Sequence, residues 1–577
     1  MDIVGIDATA VSLARIACRT QIGLDAPLVH VEVNLGSGLP VFCIVGLPAM
    51  VVKESKERVR AALLNSHFEF PAGRITVNLA PADVPKEGGR FDLPIALGIL
   101  IASQQIKPQA AVWASGAETE FYGELGLGGE LRPTRGLLLA AAHASRHGHE
   151  LILPRASAHE ALVVARTTVR AADHLLEVCA HVEGRELLAP LSPLSPEAAL
   201  GLSKDGLRGD RASNGPGQPG RGARLDLCDV RGQMYAKRAL IIAAAGEHSL
   251  LMVGPPGSGK SMLAQRLAGL LPPLTEPEAL EVASIASVSS SGFDASEFGQ
   301  RPFRSPHHSA SGPALVGGGS RARPGEISLA HRGVLFLDEL PEFKKSVLEA
   351  LREPLEAGIV SVSRAALQTQ YPAAFQLVAA MNPCPCGHQG DPTGNCNCTP
   401  AEVQRYRSRI SGPLLDRMDM HVEVPRVQVD VFGEAIDRGE SSAVAAARVA
   451  RARNIQIARQ GACNSRLTDA NVDCVCVPDK EGRRLLEKSM KRLGFSARAH
   501  QRILKLARTI ADLDEEAVIS ASHVGQAVML RYLDRDRLMT QTIEKADRSE
   551  EDERSEKDAG GFRGARQGWG DPAAPGR

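Results

Sequence analysis

No uncharged apolar run in this chain approaches the ~20 residues a membrane-spanning helix needs. That absence removes helical membrane proteins from consideration. There is no net charge either: Lys+Arg and Asp+Glu each number 67, so whole-molecule electrostatics steers no partner and any nucleic-acid affinity must come from local patches. The first twenty residues carry Asp2, Asp7, Arg15 and Arg19 and no apolar block after a basic start, so no secretory signal is expected. The 11 cysteines are unevenly spaced, which argues against a disulfide framework. No internal repeat is visible. Together these absences predict a soluble, cytoplasmic protein. A hydrophobic fraction of 44% and a charged fraction of 23% make most of it globular. At roughly 100–200 residues per domain, 577 residues imply about three domains.

Residues 1–190 alternate strand-like and helix-like runs, so an α/β domain is expected there. Leu28–Val33, Val41–Val45 and Arg74–Asn78 read as strands, and Val51–Asn65, Leu93–Ala102 and Leu137–Ser145 as helices. Residues 191–224 are rich in Pro, Gly and Ser and cannot bury much apolar surface, which makes them a linker. From 225 to about 430 a second α/β pattern follows. Ser249–Val253, Gly333–Leu337 and Phe375–Met381 are buried-type strands, and Met234–Ala245 and Met262–Leu271 are helices. Such alternation implies a mostly parallel sheet. Residues 431–540 become almost wholly helical from Val444 onward. Residues 541–577 mix charge with Gly and Pro and read as a disordered tail.

The chemistry concentrates at Gly254-Pro255-Pro256-Gly257-Ser258-Gly259-Lys260-Ser261, which fits G-x-x-x-x-G-K-[ST] between a strand and a helix. Glycines let the backbone close around phosphate oxygens, and the helix N-terminus adds aligned N–H groups. Lys260 can reach the β/γ-phosphates of ATP and the Ser261 hydroxyl can ligate Mg²⁺. The companion acid is expected at the end of an apolar strand. Val334-Leu335-Phe336-Leu337-Asp338-Glu339 supplies it, 78 positions after Lys260 (338 − 260). Asp338 is suited to hold magnesium and Glu339 to orient or deprotonate the attacking water. Taken alone, an apolar strand ending in Asp-Glu is usually a strand meeting solvent; its place after the phosphate loop favours catalysis.

With these residues in place, the chain resembles the AAA+ ATPases, in the magnesium-chelatase-like branch called the YifB or ComM family. The resemblance runs through Arg301-Pro302-Phe303-Arg304-Ser305-Pro306-His307-His308, Pro324-Gly325-Glu326-Ile327-Ser328 and Leu337-Asp338-Glu339-Leu340-Pro341-Glu342-Phe343. It continues in Met381-Asn382-Pro383-Cys384-Pro385-Cys386-Gly387 and Gly412-Pro413-Leu414-Leu415-Asp416-Arg417-Met418-Asp419, and covers roughly residues 20–535. It implies a P-loop AAA+ core, an N-terminal Lon-protease-like domain and a C-terminal helical lid. By that resemblance Asn382 is sensor 1, Arg417 the arginine finger and Arg498 sensor 2, while the Asp229–Gln233 segment packs near adenine. A finger acting in a neighbouring subunit implies a homo-oligomeric ring, most often a hexamer. In the Lon-like domain the nucleophile position aligns with Asp92 and the lysine position with Leu138, a pair that cannot perform acyl transfer. The domain therefore reads as a non-proteolytic binding or oligomerisation module.

Between Gln300 and Arg332 stand Arg301, Arg304, Arg321, Arg323 and Arg332 against Glu326 alone, a surplus of four (5 − 1). The resemblance places this insert, and a second hairpin carrying Arg364, toward the ring pore. Basic pore loops suit a DNA backbone read without sequence preference; aromatics are scarce there, so base stacking is a weak expectation. The competing reading is a solvated loop that supports the nucleotide site. Cys384, Cys386, Cys396 and Cys398 form C-x-C-x9-C-x-C, either a structural zinc site or four reduced thiols, with His388 as a substitute ligand. The pair His307-His308 fits a loop role better than metal binding, because adjacent side chains diverge. The resemblance implies a DNA motor: branch migration or helicase activity in recombination of DNA taken up during competence. The alternatives are a magnesium-chelatase-type ATPase subunit for metal insertion, or a remodelling chaperone.

Overall fold

The computed structural model describes residues 13–109, 118–164, 167–192, 225–319, 322–364, 367–390, 396–427, 439–531 and 533. The expected tail, almost all of the linker, and Arg321 lie outside the described residues. Two compact units emerge. One takes the described residues before 224 together with 273–337 and 342–376; the other takes 225–272, 338–341 and those from 377 onward.

The first unit is built on a mixed eight-stranded sheet. Its order is Pro190–Leu191, Val169–Ala172, Glu150–Pro154, Thr119–Phe121, Leu13–Arg19, Leu28–Gly36, Arg74–Ala80 and Val41–Val45. Leu13–Arg19, Leu28–Gly36 and Arg74–Ala80 pair antiparallel in sequence, while the Val41–Val45 edge strand runs parallel to Arg74–Ala80. Leu28–Gly36 alternates buried and part-exposed residues, as one covered face requires. The covering element is the helix Asp92–Ala102, whose Leu93, Ile95, Leu97, Ile99 and Leu100 are fully buried. Gly98 lies mid-helix for a steric reason: a Cβ there would come within 2.4 Å of Val33 Cγ2. The chain boundary expected at 190 moves slightly. Pro190 and Leu191 pair with Arg170 and Val169, so Leu191 still belongs to the sheet.

This unit also holds the helix Glu276–Ser287 and the hairpin Ile359–Arg364/Leu367–Pro372. Ala279 and Ala283 of that helix join Leu138, Val163, Phe293 and Phe298 in one apolar cluster. Phe303–Arg304 pairs in parallel with Val334–Leu337.

In the second unit, Leu250–Val253 is flanked in parallel by Gln376–Met381 and Met420–Glu423. These strands are buried along almost their whole length, as strands covered on both faces must be. The flanking helices Met234–Gly246 and Lys260–Leu267 are followed in sequence by the helical C-terminal part, Ser442–Gln460, Asp469–Val475, Lys480–Leu493, Ala497–Leu513 and Ala521–Met529. Starts and stops are chemically marked. Ser441, Asp479 and Ser496 accept from backbone N–H groups three residues on, and Gly461 and Gly494 end their helices at φ +75° and +55°. Among the described residues no helix is long and apolar enough to cross a membrane.

Candidate nucleotide site

The phosphate loop leaves the C-terminal end of Leu250–Val253 and enters the helix Lys260–Leu267. Gly257 and Gly259 adopt φ +75° and +92°, a region that L side chains avoid. The Lys260 ammonium is nearly buried, 8% exposed, and donates to Gly254 O at 2.7 Å, Pro255 O at 2.9 Å and Asn382 Oδ1 at 3.3 Å. All three of its protons therefore have acceptors. Burial pulls the ammonium below its ordinary pKa, and Asp338 and Glu339 oppose that shift.

The Ser261 hydroxyl donates to Asp338 Oδ2 at 2.6 Å. The next residue, Glu339, is exposed and sits at φ +51°, and its N–H donates to Asp338 Oδ1 at 2.9 Å. A non-glycine residue in this region carries a cost of order 1–3 kcal/mol, and such positions cluster at functional sites. Asn382 follows the strand Gln376–Met381 directly, which is why its amide meets Lys260. Gln233, also at positive φ, donates to Ser258 O at 3.2 Å and Pro425 O at 2.5 Å, tying the segment expected near adenine to the loop. Asp229 instead pairs with Arg266 at 3.3 Å.

The two arginines named by resemblance stand differently. Arg417 is half-buried and donates to Pro413 O at 2.7 Å. Arg498 is exposed in the first turn of Ala497–Leu513. One turn later, Arg502 is the residue that grips the core: it forms an ion pair with the buried Asp419. Asp419 also accepts from the Ser249 N–H at 3.0 Å and the Ser249 hydroxyl at 3.1 Å, with His248 Nδ1 3.6 Å away. Burial pushes this carboxyl up, but Arg502, His248 and the Ser249 N–H outweigh it and hold the group well below the usual carboxylate range. Arg531, 1% exposed, donates to Met418 O at 2.7 Å and Asp419 O at 3.1 Å. Sequence reasoning missed Arg502 and Arg531. The only signal was the acid two places after Arg417, which needs a partner if buried.

The arginines counted as a basic surplus are partly neutralised. Arg304 is bidentate to Glu326 at 2.7 and 2.8 Å. Arg332 pairs with Glu278 at 3.4 Å and Glu281 at 3.1 Å, both outside the window in which charges were counted. Arg301 donates to Arg332 O at 2.6 Å. Arg323 is half-buried and lines a cavity of about 460 Å³ in the first unit with Arg90, Arg135 and Tyr371. The side chain of Arg364 lies outside the described residues. His307 bonds Ser309 at 2.8 Å and His308 meets Phe343 edge-on, but the two imidazoles do not diverge as expected: their ring centres lie 4.1 Å apart.

In the first unit Asp92 is fully buried and is held by Ser55, Arg58 and the Leu125 N–H. Leu138 is also fully buried, in the apolar cluster already described. The four cysteines Cys384, Cys386, Cys396 and Cys398 converge: their sulfurs all lie within 4.8 Å of one another.

Residues 226–432 match the family model described as magnesium chelatase, subunit ChlI; 31–157 match subunit ChlI of Mg-chelatase, and 439–531 match the ChlI C-terminal model. The competence protein ComM of Haemophilus influenzae is 47% identical over 523 residues, 90% of this chain and 98% of that protein. The YifB protein of Salmonella typhimurium is 46% identical over 526 residues, 91% and 98% of the two chains. A magnesium-chelatase 67 kDa subunit of Chlorobaculum parvum is 28% identical over 161 residues, 28% of this chain and 23% of that one.

Proposed function

This chain belongs to the ComM/YifB family of magnesium-chelatase-like AAA+ proteins, and from that premise we propose that it is an ATP-hydrolysing ring motor acting on DNA, driving branch migration in recombination of incoming DNA. The carrying observation is the convergence of three separate segments at one point. Lys260 and Ser261 open the helix, Asp338 ends one strand and Asn382 ends another, with contacts of 2.6 Å (Ser261–Asp338) and 3.3 Å (Lys260–Asn382).

Each residue then has a task. The Gly254–Gly259 loop and the helix N-terminus bind phosphate oxygens through backbone N–H groups. Lys260 exchanges loop carbonyls for β/γ-phosphate oxygens, a trade of one acceptor set for another. Ser261 and Asp338 offer hard oxygen donors of the kind Mg²⁺ takes, and the ion when bound supplies charge neutralisation at the phosphates. Glu339, exposed beside them, orients or deprotonates the attacking water. Asn382 positions the terminal phosphate. Arg417 acts as the finger for the neighbouring subunit's site, and Arg498 as the lid's sensor. A finger working in trans requires a homo-oligomeric ring, for which a hexamer is the family's usual form.

The same reading divides the chain into a Lon-like, non-catalytic domain (1–190), a linker (191–224), the ATPase core (225–430), a helical lid (431–540) and a tail (541–577). Support comes from the boundaries of the three matching family models and, for the missing protease chemistry, from a buried Asp92 and Leu138 where a serine and a lysine would be needed. DNA contact through basic pore loops keeps Arg323 and Arg321 as its candidates, since Arg304 and Arg332 are ion-paired.

The second reading, a metal-insertion ATPase, is favoured by the magnesium-chelatase family models, although the likeness to the chelatase 67 kDa subunit itself spans only 161 residues. One assay separates the two: ATP turnover and strand movement on forked and three-stranded DNA, beside Lys260→Ala. The motor predicts DNA-stimulated hydrolysis and strand exchange, both lost in the variant. Hydrolysis indifferent to DNA would rule the motor out.

A further inference from the structure

We propose that Cys384, Cys386, Cys396 and Cys398 form a closed tetrathiolate site for one structural zinc ion, and that this site holds the turn after Asn382 against the phosphate loop. The first half stands on the sulfur geometry alone; the second rests on the nucleotide-site reading above.

Among the described residues this is the only cluster of His, Cys, Asp or Glu side chains within metal-holding distance. The separations are informative. Cys384 Sγ lies 3.3 Å from Cys386 Sγ and 3.7 Å from Cys396 Sγ, and Cys386 Sγ lies 3.6 Å from Cys396 Sγ. A disulfide would bring two sulfurs to about 2.0 Å. Four sulfurs on a tetrahedron about 2.3 Å from a central zinc would be about 3.8 Å apart. The three separations are those of ligands around one ion, Cys398 Sγ lies within 4.8 Å of each of the others, and four thiolates favour a soft or borderline cation over Mg²⁺.

Local structure serves the same arrangement. The Gln389 N–H donates to Cys384 Sγ at 3.3 Å, the type of contact that stabilises thiolate charge. Thr399 directly follows the last cysteine and starts the helix Pro400–Arg407 with a capping box to Glu402, which fixes where Cys396 and Cys398 enter. Arg407, in the last turn of that helix, reaches back to Pro383 O at 3.2 Å and Gln389 Oε1 at 3.3 Å. The two halves of the knuckle are thus tied by more than sulfur, and a cation nearby partly offsets the net negative charge of a zinc tetrathiolate.

The link to the nucleotide site is steric. Gly387 sits at φ +85°, and a Cβ there would lie 2.7 Å from Pro256 Cδ and 3.9 Å from Asn382 Cγ. The knuckle therefore seats directly on the phosphate loop and beside the amide that meets Lys260. Only one residue, Pro383, separates Asn382 from the first ligand. An ion that fixes Cys384 and Cys386 fixes Asn382 as well.

The test is made on the full chain, purified under reducing conditions without chelator. Elemental analysis of the wild type is expected to give about one zinc per chain. The variant carrying both Cys386→Ser and Cys398→Ser should lose it; these two cysteines are the exposed and half-buried members, so the apolar core is spared. Circular dichroism checks that the variant is folded. As a second readout, Co²⁺ added to zinc-stripped wild type should give the visible bands of tetrahedral cobalt–thiolate, absent in the variant. Wild-type protein holding neither zinc nor Co²⁺, or holding iron instead, overturns the site. For the coupling, binding of a fluorescent ATP analogue should weaken by about tenfold when zinc is lost. Unchanged nucleotide affinity in a zinc-free, folded variant overturns the coupling while leaving the site standing, and unaltered binding in Lys260→Ala overturns the nucleotide reading itself.

Discussion

Replacing Arg502 by Ala removes the main counter-charge of a carboxylate that cannot reach water. Asp419 is 7% exposed and keeps, after the change, two hydrogen bonds from Ser249 and the nearby His248. Removing one partner of a buried ion pair costs about 3–5 kcal/mol; because Arg502 is itself 23% exposed and Ser249 remains, the low end, about 3 kcal/mol, is expected. The loss should be local to the elements the pair joins, Ala497–Leu513 and the strand that starts at Met420. Native-state hydrogen exchange at pH 7 is the appropriate assay, since it reads local opening where a two-unit chain has no single unfolding free energy. The pH dependence fixes the sign. A carboxyl held below its unfolded value contributes stability that is complete above that unfolded value, near 3.9, and is lost as pH falls through the folded one. Without Arg502 the folded carboxyl rises toward or past its unfolded value, so the part of the acid loss that belongs to Asp419 should shrink in the variant, and the difference in protection between wild type and variant should narrow as pH falls below about 3.9. Protection reduced by less than about 1 kcal/mol, with an unchanged acid limb, would mean that the pair is solvent-screened and does not clamp the helix Ala497–Leu513.

Arg417→Ala should abolish ATP hydrolysis while leaving ATP binding intact, with a rate loss on the order of 10³ or more; equilibrium binding and single-turnover hydrolysis measured side by side check it, and lost binding would misplace the finger. Gly98→Ala should destabilise the first unit by about 1–3 kcal/mol, because the added methyl meets Val33 at 2.4 Å inside a packed core; exchange protection in Leu28–Gly36 reports it, and unchanged protection would show that the strand can yield.

The parts of the site legible in the sequence were those whose chemistry needs residues close in the chain. Eight consecutive residues specify the phosphate loop, and an apolar run ending in Asp338-Glu339 specifies its partner. The cysteine spacing likewise announced a cluster, though not that the sulfurs would meet. What stayed hidden depends on approach across the fold. Asp419 and Arg502 are 83 positions apart (502 − 419), and nothing local distinguishes Arg502 from Arg498 one turn earlier. The basic window misled for the same reason: Arg332 finds Glu278 and Glu281, some fifty positions upstream, so a window count overstates free charge. The strand Met420–Glu423 was also unread, being only four residues long.

That missed strand explains why the site comes together. Leu250–Val253 lies between Gln376–Met381 and Met420–Glu423, all parallel, so the three segments leave the sheet at the same edge. In open parallel sheets ligands bind outside the carboxyl ends of the strands. Here those ends deliver the phosphate loop, then Asn382 with the cysteine knuckle, and then Val424 and Pro425. Gly254 follows from that crowding: a Cβ on it would lie 2.1 Å from Val424 O. Gln233 then fastens the central segment to the one after Met420–Glu423 by donating to both Ser258 O and Pro425 O. The buried clamp of Asp419 and Arg502 directly precedes the third strand and reaches Ser249 just before the first, so it holds these parallel strands at their amino-terminal ends, opposite the end that presents Lys260. Strand adjacency, which no local pattern encodes, is thus the step that turns separate motifs into one pocket.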